Sequence, residues 1–342
     1  MNQVNLPDYQ NIAIIRLSSL GDIIHTLPAF QLLRRHFPRA KINWFAESAG
    51  ARLLENFSGI DNIVAVNLKI RGLKSKIREL KKILNQYRNQ FDLIIDFQGL
   101  LKSAVLSRLL RSPVIGFHSQ NLKEPLARFF YNRKADYFDE NRHVINKNIH
   151  LLHLLNISGT EIHYPQKKEL SSPRVKSFLQ RHQLVSGTFI ILNVGGGWES
   201  KLLDIEQYIE ITGQLKTKYP IVILWGNEKE RQLAEQISKS SRTIMGVYLE
   251  FDELFDLIGH SALIITADTL AMHVADMMNV PSVGIFGPTA PDRNGSLLKD
   301  SAAIYNHLDC SFCYKKKCDT MLCLKTIPID EIEDRVSEIY EK

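Results

Sequence analysis

Three short clusters of residues in this 342-residue chain combine types and spacings that can do chemistry. In the first, Ser18-Ser19-Leu20-Gly21-Asp22 follows the apolar run Asn11–Leu17 and precedes a helical pattern from Ile23. A strand, a small-residue turn and a helix aim backbone N–H groups at an anion. Gly21 permits a tight turn or the close approach of a ligand. Asp22 at the helix start serves either as a cap or as a carboxylate presented to substrate. No G-x-G-x-x-G stands here, so the turn is not a dinucleotide fingerprint.

The second cluster is Gly195-Gly196-Gly197 with Trp198, Ser200 and Lys201, after the run Phe189–Val194. Three glycines let the backbone approach a phosphate closely, and Lys201 brings a positive charge. The spacing is not that of a Walker A loop. The plainer alternative is a flexible loop with an incidental lysine. The third cluster, Asp268-Thr269-Leu270-Ala271-Met272-His273, follows Ala262–Ala267. His273 falls one helical turn beyond Thr269, on a similar face. These side chains suit hydroxyls or phosphate, or else serve as a cap and a packed histidine.

The elements that position these clusters alternate in a βαβ rhythm. Asn11–Leu17, Lys41–Ala46, Asn62–Val66, Asp92–Phe97 and Pro113–Phe117 read as buried strands. Helical patterns lie between them at Ile23–Phe37, Lys74–Gln90 and Leu100–Leu110. A Ser-, Gly- and Pro-containing stretch, Ser158–Pro173, reads as a linker. The rhythm restarts with strands at Phe189–Val194, Ile221–Leu224, Ala262–Ala267 and Ser282–Phe286. Helices are expected at Asp204–Lys218, Glu228–Lys239, Glu250–Gly259, Thr269–Met278 and Ile329–Lys342. The pattern implies parallel sheets with helices on both faces. Ligands of such sheets bind outside the carboxyl ends of the strands.

Charge separates the two halves. Residues 1–165 hold 23 Lys+Arg against 13 Asp+Glu, and residues 166–342 hold 20 against 24. One basic domain facing an anionic partner fits this better than the net +6 alone would suggest. No apolar run approaches the roughly 18–20 residues of a membrane span. The polar start, Met1–Gln10, lacks the apolar core of a signal peptide, which argues against export. All four cysteines fall between Cys310 and Cys323, spaced C-x2-C-x4-C-x4-C. They read as a zinc site or as reduced or locally bridged thiols.

The three clusters, in this order, resemble the heptosyltransferases of glycosyltransferase family 9. The resemblance is carried by IAIIRLSSLGDIIHTLPAFQLLRRHFP, GGGWESK and ADTLAMHVADMMNVPSVGIFGPT, with CSFCYKKKCDTMLCL near the C-terminus. It implies an α/β GT-B fold, two Rossmann-like doubly wound domains facing a central cleft. On this reading residues 1–165 bind the acceptor and residues 166–327 the donor. Residues 328–342 are a C-terminal helix packing back towards the first domain. The implied activity is inverting transfer from ADP-heptose to the Kdo/heptose inner core of lipopolysaccharide, with no cofactor or metal required.

By the same resemblance, Asp22 is the general base. Gly196, Gly197 and Lys201 lie at the diphosphate, Glu230 at the ribose and Leu249 beside the adenine. Asp268, Thr269 and His273 hold sugar and phosphate. A glycine is usual where Leu270 stands, and the leucine side chain narrows the donor pocket. The implied acceptor is an anionic lipid A/Kdo core in the inner leaflet. The enzyme is then cytoplasmic and peripheral on the cytoplasmic face of the inner membrane. Lys69 and Arg71, which open a basic stretch running to Arg88, are the acceptor candidates. That stretch otherwise reads as a solvated helix face. No nucleic-acid partner is expected, since no reading motif is present. Alternatives are a GT-B transferase using another nucleotide sugar, or a non-catalytic carbohydrate-binding homologue.

Overall fold

Buried β-branched runs become strands, and the amphipathic stretches between them become the covering helices. In the computed structural model, which describes residues 8–67, 70–168 and 171–341, the chain divides into two units, 1–168 and 169–342.

The first unit runs β1 (Asn11–Ile15), α1 (Leu20–His36), β2 (Lys41–Ala46), α2 (Ser48–Leu54), β3 (Asn62–Ala65) and α3 (Leu73–Tyr87). It continues with β4 (Leu93–Asp96), α4 (Leu101–Leu109), β5 (Val114–Gly116), β6 (Arg133–Lys134) and α5 (Val144–Leu151). Its strands pair in parallel in the order β3-β2-β1-β4-β5-β6. The central strand β1 sets Ile12 beside both Ile42 and Leu93, all buried. A strand covered on both faces must be apolar throughout, which is why NIAII shows no alternation.

The second unit begins with α6 (Pro173–Arg181), β7 (Ile190–Asn193), α7 (Ile205–Leu215), β8 (Ile221–Leu224) and α8 (Glu228–Ser241). Then come β9 (Ile244–Met245), α9 (Phe251–His260), β10 (Leu263–Ala267), α10 (Leu270–Met277) and β11 (Ser282–Ile285). The last elements are α11 (Pro291–Asn294), β12 (Ala302–Ile304), α12 (Leu322–Lys325) and α13 (Ile329–Tyr340). The sheet order is β12-β11-β10-β7-β8-β9, again parallel. Counted from its own first strand, it repeats the doubly wound order of the first unit. Each sheet therefore reverses its winding beside its first strand, between β1 and β4 and between β7 and β10. At such a switch point neighbouring loops diverge and leave a crevice.

Several expectations shift in detail. Helix α1 starts three residues earlier than the apolar pattern suggests, because Ser19 is its N-cap. Asp22 is thus inside the first turn and is not the cap. The stretch read as a linker is tied to the first unit as far as Lys168. Phe57 bridges Lys167, and the Lys168 N–H donates to the Asn56 carbonyl at 2.9 Å. The C-terminal helix packs on the second unit's own sheet. Ile332 and Val336 of α13 are buried in that core, and the Tyr340 hydroxyl donates to the Thr188 carbonyl at 2.9 Å.

Candidate functional site

In the first unit, the turn after β1 is fastened to the turn after β4. The Gln98 side-chain carbonyl accepts from the Leu17 and Ser18 amides at 2.9 and 3.0 Å. Buried Arg16 donates from Nη1 to the Phe97 carbonyl. Its Nη2 lies 2.8 Å from Oδ1 of Asp22. The other Asp22 oxygen accepts from the amide and the hydroxyl of Ser19 at 3.1 and 2.9 Å. The two ends of this ion pair differ in exposure: the arginine side chain is 9% exposed, that of Asp22 38%. Asp22 is therefore gripped from the protein side and open towards solvent.

Behind this turn, Asp96 is fully buried at the end of β4. One oxygen accepts from the Gln98 and Gly99 amides at 2.9 and 3.1 Å. The other accepts from the hydroxyls of Ser103 and Tyr131, both at 2.9 Å. Burial pushes its carboxyl up to about 6 despite these four donors, because removing a charge from water costs more than they return. At the rim, Lys102 of α4 pairs with Glu47 at 2.9 Å and reaches the Ser18 hydroxyl at 3.5 Å.

In the second unit, the residues after β7 and β10 form one connected group. The Lys201 ammonium donates to the Asp268 carboxylate and to the Asp268 carbonyl, each at 2.8 Å. Its Nζ sits 4.5 Å from the centre of the Trp198 ring. The other Asp268 oxygen lies 3.2 Å from Nε2 of His273. Burial opposes ionisation of Asp268, but His273 and Lys201 outweigh it and hold the carboxyl well below the usual carboxylate range. Thr269 is the N-cap residue of α10. Its hydroxyl lies 3.1 Å from both the Asn193 amide nitrogen and the Thr266 hydroxyl.

Glu230, in the first turn of α8, spans two glycine amides. Gly196 N–H donates to one oxygen at 3.2 Å and Gly226 N–H to the other at 2.7 Å. A Cβ on Gly195 would stand 2.6 Å from that carboxylate, and one on Gly196 would stand 2.9 Å from Leu202. A side chain at either position would have to push aside the Glu230 carboxylate or the tip of Leu202. Around Gly197 there is open space.

Leu249 is half-buried in the loop between β9 and α9. Trp225 secures that loop, donating from Nε1 to the Gly246 carbonyl at 2.8 Å. Leu270, the first residue of α10, is half-buried. Arg71 is exposed ahead of α3 and takes no part in the Asp22 network, while Lys69 lies outside the described residues. The four cysteines are free thiols, three of them exposed. Among the described residues no group of three or more His, Cys, Asp or Glu stands where it could hold a metal.

Arg16, Gln98 and Asn193 were missed by sequence reasoning. Asn193 had a visible signal, a polar residue ending the buried strand FIILN just before the glycines. Its amide nitrogen lies 2.9 Å from the Thr266 hydroxyl and 3.0 Å from the Gly195 carbonyl, so it ties the two strand ends together.

The family model described as "Glycosyltransferase family 9 (heptosyltransferase)" matches residues 77–323. A lipopolysaccharide heptosyltransferase 1 of Campylobacter coli is 29% identical, over 96% of this chain and 98% of its own length. The lipopolysaccharide heptosyltransferase 1 of Escherichia coli K12 is 24% identical over 84% and 91%. Among solved structures, E. coli heptosyltransferase WaaC with ADP superposes with a TM-score of 0.74 at 21% identity, covering 96% of this chain and 99% of that one. A family 9 glycosyl transferase from Veillonella parvula gives 0.80 at 20% identity, covering 97% of each chain. The two parallel-sheet α/β domains are those of the GT-B fold.

Proposed function

The chain belongs to glycosyltransferase family 9, and from that premise we propose that it moves heptose from ADP-heptose to the Kdo/heptose inner core of lipopolysaccharide. The transfer is inverting and metal-independent, with Asp22 as general base. Relatives named lipopolysaccharide heptosyltransferase along nearly their whole length support the substrate class. The observation that carries the mechanism is the Asp22 carboxylate, held by Arg16 and Ser19 at the β1/β4 switch point while its side chain stays 38% exposed.

In this reading Asp22 takes the proton of an acceptor hydroxyl as that oxygen bonds to the anomeric carbon. The bond from the same carbon to ADP breaks on the opposite face, through an oxocarbenium-like transition state. Negative charge grows on the departing diphosphate. Lys201 has three N–H donors, of which Asp268 takes two, and the third serves a phosphate oxygen. The Gly196–Gly197 backbone borders the diphosphate. Asp268, Thr269 and His273 hold the sugar and its phosphate. Glu230 offers its remaining lone pairs to the ribose, and Leu249 borders the adenine. Lys69 and Arg71 meet the acceptor's anionic groups. The enzyme works in the cytoplasm at the inner-membrane surface, where its acceptor lies.

The test is transfer of labelled heptose from ADP-heptose to truncated core acceptors, with UDP- and GDP-sugars as competing donors. In Asp22→Asn, transfer should fall by about a hundredfold or more while calorimetric ADP affinity stays unchanged. Near-wild-type turnover removes Asp22 as base. Transfer from a UDP- or GDP-sugar in place of ADP-heptose overturns the donor assignment.

A further inference from the structure

The apolar stripe of α3 runs past the body that it packs on. Leu73, Ile77, Leu80, Leu84 and Tyr87 recur at i, i+4, i+7, i+11 and i+14, which is one helical face. The carboxyl half of that face is docked. Leu80 and Leu84 are half-buried, and the Tyr87 ring meets Phe45 edge-on at 5.4 Å and stacks on Phe91 at 6.2 Å. Ile83, beside the stripe, is the helix's one buried residue. The amino half is not docked: Leu73 is 73% exposed and Ile77 44%.

The charges around this exposed pair share one sign. Over residues 71–82 stand Arg71, Lys74, Lys76, Arg78, Lys81 and Lys82 against the single acid Glu79, and Lys74, Lys76 and Lys81 flank the stripe at helical spacing. The first turn of α3 contains no acidic residue and does contain Lys74 and Lys76. Cations there oppose the helix dipole, so local helix stability does not account for them. A local cost without a local benefit points to an external anion. Exposed apolar residues flanked by Lys and Arg along a helix are the pattern of an element lying in a lipid–water interface.

We propose that the amino-terminal half of α3 lies in the surface of an anionic phospholipid bilayer. Leu73 and Ile77 enter the acyl boundary, and the flanking Lys74, Lys76 and Lys81 side chains meet headgroup phosphates. The proposal rests on the reading that the acceptor is a membrane lipid, and it names the element that brings the enzyme to it.

The test is co-sedimentation of the full chain with vesicles of phosphatidylglycerol and phosphatidylethanolamine, against vesicles of phosphatidylcholine. Wild type should bind the anionic vesicles and not the neutral ones. Leu73→Ser/Ile77→Ser should weaken that binding about tenfold. These side chains are exposed, so an unchanged circular dichroism melt checks that the fold survives. Transfer of heptose to a deacylated, water-soluble acceptor should be unaffected. Vesicle binding equal to wild type in the double variant overturns the proposal. So does loss of binding on Leu126→Ser/Phe129→Ser, a second strongly exposed apolar pair among the described residues of this unit. Absence of transfer to the soluble acceptor by wild type would overturn the function and leave the vesicle result to be read by itself.

Discussion

Asp96 shows how a single residue can govern the turn that carries the proposed base. Its ordinary carboxyl value is 3.8, and burial raises it to about 6. Below 3.8 it is protonated in both the folded and the unfolded chain. Between 3.8 and about 6 the folded state keeps a proton that the unfolded state releases. Stability therefore falls as pH rises through that window and is level in this respect above it. A shift of this size corresponds to up to about 3 kcal/mol. In denaturant titrations at pH 4 and pH 7, Asp96→Asn should remove that difference, and an undiminished difference would assign it to other groups. Asp96 lay inside an expected strand and gave no sign of four donors, because Ser103 and Tyr131 come from 7 and 35 residues away. The same limit hid Arg16. Residues in the turn that follows a strand, such as Lys201 and Asp268, were legible as candidates. Their pairing was not, since it joins positions 67 residues apart.

Elements were legible in proportion to their length and periodicity. The central strands and the long helices stand within a few residues of where their patterns put them. The strands β6, β9 and β12 have only two or three residues, too few to show a period. Helix α5 was hidden because its sequence, VINKNIHL, is rich in β-branched residues and Asn, and its cap is His143, whose ring nitrogen accepts from the Ile145 amide at 3.2 Å. The glycine turn after β7 carries a prediction at this scale. A Cβ at position 195 meets the tip of Glu230, a flexible side chain that can swing aside at little cost to the fold. Gly195→Ala should therefore change the melting temperature by no more than a few degrees. It should still displace Glu230 from the Gly196 and Gly226 amides and weaken ADP binding about tenfold. Unchanged ADP affinity by calorimetry would detach Glu230 from the donor.

At the scale of the whole molecule, the strand order recurs in both units while the charge does not. The Rossmann order places a switch point in each sheet, and the chemistry-bearing turns sit at both. The excess of Lys and Arg belongs to the half that contains Asp22 and α3, so the charge asymmetry is independent of the strand order that the two sheets share. Each unit has its own six-stranded sheet, and the second closes its core with α13. Burying Ile332 and Val336 contributes roughly 1.5–3 kcal/mol each, a large share of the 5–15 kcal/mol that holds a typical domain folded. The ring of Tyr340 adds contact with Tyr219 at 4.3 Å. A fragment of residues 169–342 should accordingly melt as one cooperative unit and bind ADP. A fragment ending at residue 327 should lose that cooperative melt or unfold well below it. Equal melting temperatures for the two fragments would show that α13 is dispensable to this core. An unfolded 169–342 fragment would show that the sheet needs the first unit to fold.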